Sequence, residues 1–406
     1  MKATPFLLLP LLACGRPEPI VVGPQTTQPE VRIALAVGVS TVSIGGGAAL
    51  VVTTADSQPA GEIAASNTGR ATFAGGQVQL EGAGAPVARE SLTIAAPDPD
   101  GFVRVNGRDY RGRVVVLAGR AGLTVVNRVV LESYLAGVVS AEMGRRDTTE
   151  QAALEAQAVV SRTYAVRNLG RWAAQGFDLQ GSVGDQVYGG VASETAMGWQ
   201  AVTGTAGLIL TWNGAPIDAF FHSTCGGRTS NGTEVFAAAD RPYLRSIEDL
   251  DPVGAAYCRI SPRYQWRVEW SAEALRDILR GTLPQVTGSS IRPDAVVQSV
   301  RVAERSPSGR VARLAFEIDG RQLPVSGPAV RQVLRPRADE ILRSAEFTLT
   351  ESRSGGRLVR LVADGHGAGH GVGFCQWGAV GRARAGKSFR EILAAYFPGT
   401  DLERYY

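Results

Sequence analysis

Glu142 stands in Gly137-Val-Val-Ser-Ala-Glu142-Met-Gly144, a stretch with no other charge. A carboxyl group placed there loses hydration on folding, which disfavours the anion and raises its pKa toward the range a general acid needs at neutral pH. A helix-terminal carboxylate that only accepts backbone hydrogen bonds fits the same residue. Ser161-Arg162-Thr163-Tyr164 brings four polar or amphipathic groups together. Arg162 is open to two roles there, clamping an anionic or carbohydrate substrate or pairing with a carboxylate in the core. Gly184-Asp185-Gln186-Val187-Tyr188-Gly189-Gly190 has the form of a glycine-bounded loop that offers carboxylate, amide and ring to a sugar. Loops of this composition also occur as plain turns.

A third concentration is His366-Gly-Ala-Gly-His370-Gly-Val-Gly-Phe-Cys375-Gln376-Trp377-Gly378, which holds two of the three histidines of the chain. Its glycines free the backbone for tight bends and close approach of a ligand, the signature of a functional loop. The third histidine lies in Phe221-His222-Ser-Thr-Cys225-Gly226-Gly227. Apart from Cys14, only Cys225, Cys258 and Cys375 remain, and an odd number cannot be wholly paired within one chain. Three thiolates with His222 or His370 would complete the four ligands of a structural zinc. The competing arrangement is a Cys225–Cys258 disulfide with Cys375 a buried thiol, which an oxidising compartment favours.

Elements must place these groups. Residues 1–13 have a basic start and an apolar run ending in Leu11-Leu12-Ala13-Cys14, as an export signal does. Residues 14–30, rich in proline and poor in apolar side chains, read as a flexible tether. Over residues 31–124 short apolar runs alternate with Gly, Asn, Asp and Ser, the pattern of a β-rich N-terminal lobe. From Val129 the apolar period becomes helical, and Thr148-Thr149-Glu150-Gln151 opens a second, alanine-rich helix expected to run from Glu150 to Trp172. Asn213-Gly214 marks a tight hairpin. Strands near 264–270, 296–302 and 311–318 and a helix at 272–279 predict an inserted α+β subdomain at about 264–350. The whole is an α+β fold, a mixed helical and β-rich core with that insertion. At 406 residues and 44% hydrophobic content a large core is possible; the net charge of +4 is small, and no basic, aromatic-interleaved stripe marks a nucleic-acid binder.

Several ordered blocks then resemble the stage II sporulation protein D family, which includes the amidase enhancers of wall turnover. They are Val129-Val-Leu-Glu-Ser-Tyr-Leu-Ala-Gly-Val-Val-Ser-Ala-Glu142-Met, Ala153-Leu-Glu-Ala-Gln-Ala-Val-Val-Ser-Arg-Thr-Tyr-Ala165, Asp185-Gln-Val-Tyr-Gly-Gly190, Phe221-His-Ser-Thr-Cys-Gly-Gly227 and Gly369-His-Gly-Val-Gly-Phe-Cys-Gln-Trp-Gly-Ala379. The resemblance assigns residues 125–406 to such a domain and implies a lytic transglycosylase acting on peptidoglycan glycan freed of its peptides. Glu142 is then the acid catalyst, and Arg162, Tyr164, Asp185, Gln186, Tyr188, His370 and Gln376 surround the sugar. It also implies a zinc site that takes in Cys225 and Cys258. Relatives carry a further cysteine shortly before the position of Cys258, where this chain has none, so Cys375 either replaces it or the site is lost. Leu11-Leu12-Ala13-Cys14 resembles a lipobox, which implies lipidation of Cys14 and a membrane-anchored protein facing the periplasm or cell wall.

In the implied reaction one carboxyl group protonates the glycosidic oxygen, and the C6 hydroxyl of N-acetylmuramic acid closes a 1,6-anhydro ring, so no second carboxylate and no metal are required. Two other enzymes stay open, a hydrolase with Asp185 as partner carboxylate and a zinc amidase using His222, His366 and His370. A non-catalytic module that binds glycan and stimulates an amidase is the alternative from another class.

Overall fold

The computed structural model describes residues 27–236 and 239–406; the apolar run and Cys14 lie outside them. The N-terminal lobe is two stacked antiparallel layers. One contains Glu30–Val39, Leu123–Val130, Arg113–Ala118, Ser91–Ala95, Leu50–Thr54 and Pro59–Ile63 in that order, and the other is six-stranded and includes Thr41–Gly45, Thr68–Ala74 and Gln77–Glu81. Alternation sets the inward face: in Gln77–Glu81 only Val78 and Leu80 are buried, and in Ser91–Ala95 only Leu92 and Ile94. These residues share one buried cluster with the helical region that follows. The short strand Leu179–Gln180 joins the edge of the first sheet in parallel beside Ile33 and Ala34, so lobe and helices are also tied by backbone.

The helical period does begin near Val129, but the helix does not. Val129 and Val130 complete the ladder opposite Val31 and Glu30, and the chain turns helical at Leu131. This first helix, α1 (Leu131–Met143), ends at Gly144, whose φ of 70° no side chain adopts without strain. Next, Asp147 and Glu150 form a reciprocal capping box over a single 3-10 turn, and α2 (Gln151–Arg167) follows. It stops five residues before Trp172, where Asn168 turns its side-chain amide back onto the Tyr164 carbonyl at 2.7 Å. Burial extends around most of α2, which packs against α1, the helices 196–204, 376–384 and 389–396 and the strand Leu208–Trp212. Alanines at 153, 156, 158 and 165 allow these close approaches.

Asn213 and Gly214 both take positive φ (53° and 72°), as a two-residue hairpin turn requires, and the strand before them pairs on its other side with Asp401–Arg404. A second buried cluster runs from Trp266 to Ala363, built on two three-stranded sheets and the helix Ala272–Thr287. We propose this cluster as the inserted unit, which would carry it past residue 350 through the hairpin Phe347–Ser354 and Arg357–His366. The architecture is α+β, with several sheets and scattered helices.

Candidate functional site

Glu142 occupies the last turn of α1, where the loop 181–190 crosses the helix. The crossing is close because residue 137 is glycine: a Cβ there would lie 2.7 Å from Cε2 of Tyr188. It brings the Val187 N–H to Oε1 of Glu142 at 2.7 Å. From the opposite side Gln376, first residue of the helix Gln376–Arg384, approaches Oε2 with Nε2 at 3.5 Å and reaches Gln157 Oε1 at 3.4 Å. Gln157 donates to Ser161 Oγ at 2.9 Å; the Ser161 carbonyl accepts from Gln186, whose own oxygen accepts from Tyr134 at 3.0 Å. A chain of neutral amides and hydroxyls therefore backs the carboxyl group. Among the described residues no ion pair reaches it. Burial raises the Glu142 pKa, against the lowering pull of the Val187 N–H and Gln376.

The other residues singled out in the sequence divide into two groups. Gln376 and the 184–190 loop converge on Glu142, and Gln186 joins through Ser161. Arg162, in contrast, is fully buried in a two-pronged pair with Glu132 (2.7 and 2.8 Å) and also donates to the Leu208 carbonyl, so the core-pairing role is the one realised. Tyr188 is buried against Tyr110 and Tyr134 and donates to Asn127. Tyr164 donates to Asp185 at 2.6 Å, and Asp185 also holds Arg171 and the Gln180 N–H, which fixes the loop base. His370 donates from Nε2 to the Phe221 carbonyl and accepts the Val372 N–H on Nδ1; burial pushes its pKa down to about 4. Burial pushes the His222 pKa down as well, and its Nδ1 donates to the Val372 carbonyl. His366 lies edge-on to Tyr264. Gln157 and Tyr134 escaped the sequence reading, although a glutamine set between alanines and valines four residues before Ser161 was the available signal.

Cys225, Cys258, Cys375 and Asp249 form a buried group whose ligand atoms all lie within 4.8 Å of one another, and this cluster can coordinate a metal ion. Asp249 takes the place expected for His222. The cysteines are free, and Cys225 Sγ and Cys258 Sγ stand 3.6 Å apart, too far for a disulfide bond of about 2.05 Å. Thiolates at roughly 2.3 Å from a tetrahedral zinc would be separated by about 3.8 Å, so the spacing fits. Backbone N–H groups of Gly227 and Gly378 point at Cys225 and Cys375 at 3.3 Å each, an arrangement that also suits thiolates bound to a metal. Hydrogen bonds from Cys225 and Cys375 lower the Cys258 pKa, while burial pushes their own thiols up. Behind the cluster, Arg382 and Tyr396 bind the Asp249 carboxylate, whose pKa burial raises. A Cβ at Gly378 would strike both Asp249 and Tyr396.

A family model described as Stage II sporulation protein matches residues 119–212, and one described as a domain of unknown function matches residues 254–373. An uncharacterized protein of Brachyspira hyodysenteriae is 32% identical over 310 residues, covering 75% of each chain. The stage II sporulation protein D of Bacillus amyloliquefaciens is 32% identical over 68% of this chain and 75% of its own length. An amidase enhancer of Bacillus subtilis is 26% identical over 67% of this chain and 40% of its own length. With the carboxyl at the end of α1 and the loop that crosses it both inside the matched residues 119–212, and with relatives 32% identical over about three quarters of their length, the chain belongs to the stage II sporulation protein D and amidase-enhancer family.

Proposed function

We propose that the chain engages peptidoglycan glycan strands at the Glu142 site, as a lytic transglycosylase that leaves 1,6-anhydro ends. The observation that supports this is the environment of Glu142: a carboxyl group with a raised pKa, oriented by the Val187 N–H and Gln376 and free of any ion pair among the described residues. Such a group keeps its proton to higher pH and can give it to the glycosidic oxygen. The C6 hydroxyl of the same sugar then attacks C1, and its proton returns to the Glu142 carboxylate. A metal at Cys225, Asp249, Cys258 and Cys375 would be structural, holding the 225 and 375 segments together.

The likeness to an amidase enhancer favours a second reading, a non-catalytic glycan-binding module that recruits or stimulates a cell-wall amidase through the same site. Mass analysis of denuded glycan after incubation with the purified chain separates the readings. Anhydro ends that vanish in Glu142→Gln support cleavage; denuded strands that stay intact but bound, with faster release of peptide when an amidase is added to strands that still carry peptides, support the enhancer. Equal turnover by wild type and Glu142→Gln would overturn the catalytic assignment.

Export and lipid anchoring at Cys14 complete the proposal. No helix among the described residues is long and apolar enough to cross a membrane. Cys14→Ser should move the chain from the membrane fraction to the soluble one without changing its melting temperature; equal labelling of both forms by a fatty-acid analogue would rule the anchor out.

A further inference from the structure

The two three-stranded sheets of the 266–363 unit present edge strands to each other, Val297–Arg305 from one and Phe347–Ser354 from the other. They run antiparallel but are bridged by side chains instead of a ladder. At one end Glu351 accepts the Val300 N–H at 2.6 Å; at the other, Arg305 donates to the Phe347 carbonyl at 2.9 Å. Between the bridges lies a cavity of about 450 Å3 lined by Val300, Arg301, Val302, Arg305, Thr348, Leu349 and Glu351. Strand alternation turns the N–H of Val302 to the same side as that of Val300, and the N–H and carbonyl of Leu349 to the same side as the carbonyl of Phe347. Backbone donors and an acceptor therefore face the gap.

Charge in the gap is unbalanced. Arg301 is exposed and has no carboxylate partner among the described residues, whereas Glu351 is occupied by Val300 and by Arg353 at 2.6 Å. A guanidinium fork takes carboxylate or phosphate. Free strand edges with flanking aliphatic side chains, however, suit a peptide backbone, which a phosphodiester polymer lacks. We propose that this gap binds a short anionic peptide, its carboxylate on Arg301 and Arg305 and its backbone against Val302 and Leu349. Taking the peptide to be a peptidoglycan stem peptide rests on the cell-wall role proposed above. The inserted unit then holds strands that still carry peptides, while the Glu142 site engages strands that have lost them.

Calorimetric titration of the full chain with a synthetic stem tripeptide, its fully amidated form and poly(glycerol phosphate) tests this. The tripeptide should bind, the amidated form should not, and Arg301→Gln should weaken binding about tenfold, the loss of one charge-assisted pair. Since Arg301 is exposed and unpaired, its replacement leaves the fold intact, which circular dichroism checks. Equal tripeptide affinity in wild type and Arg301→Gln would overturn the proposal, as would binding of the phosphate polymer without the tripeptide. Glu142→Gln should bind the tripeptide as wild type does, so failure of the glycan-cleavage reading is read separately.

Discussion

The Glu142 carboxyl is pulled two ways: burial favours its protonated form, while the Val187 N–H and Gln376 favour the anion, and burial wins. Because folding raises this pKa, the stability the group contributes is present below the ordinary value of 4.5 and is lost as pH rises through the folded value. Glu142→Gln removes that titration, so its melting temperature should gain on wild type between pH 4 and pH 7, while the proposed cleavage should be lost. A difference that stays constant across that range would mean the carboxyl is not desolvated. Arg162 shows the opposite use of charge. It is fully buried against a largely enclosed Glu132, so Arg162→Gln removes the only cation paired with that carboxylate among the described residues and should cost about 3 kcal/mol in denaturant unfolding. A variant of normal stability that fails only to bind glycan would return Arg162 to the substrate site.

At the scale of elements, the separation between α1 and the 181–190 loop decides whether the Val187 N–H reaches Glu142. Gly137→Ala would push Tyr188 outward and should cost about 1–3 kcal/mol through overpacking, with a parallel fall in glycan binding or turnover. Gly281, inside the helix Ala272–Thr287, has open space where a Cβ would go. Gly281→Ala should therefore stabilise by about 0.5–1 kcal/mol and leave glycan chemistry unchanged. Similar thermal shifts of the same sign in both variants would contradict the packing assigned to α1. These helices were legible from apolar spacing and from Glu150 at the capping position. The start of α1 was not, because the same valines satisfy a strand period and are claimed by a partner strand a hundred residues earlier.

Across the whole molecule, the strand Phe221–His222 lies parallel to Phe374–Cys375, with the inserted unit in the intervening chain. A shared metal at Cys225, Cys258, Cys375 and Asp249 would clamp this closure, since binding free energy at a structural site adds to folding free energy. Chelation should lower the melting temperature, reductant should leave it unchanged, and Cys225→Ser should cost about 4 kcal/mol or more. Elemental analysis should find one zinc per chain, with the three cysteines titrating as thiols after denaturation. Substoichiometric metal with one titratable thiol would show a disulfide instead. The insertion is also held by Arg310, which donates to the carbonyls of Cys225 and Arg228 and pairs with Glu346.

By itself the sequence determined the α+β class, the alanine-rich central helix and the Asn213-Gly214 turn, because each depends on local spacing; Glu142 was chosen as the catalytic candidate over a helix-terminal carboxylate only through the family resemblance. The joining of three distant cysteines was also readable from their small number. Tertiary structure alone decided which polar residues serve the site and which serve the core. Arg162 and Tyr188 look the same in sequence whether they face a sugar or a buried partner, and only the packing of Glu132 and Asn127 against them distinguishes the cases. It likewise decided that Asp249, not His222, stands with the thiols. Four ligand atoms from segments around 225, 249, 258 and 375 meet only through the chain closure, whose distances no local pattern encodes.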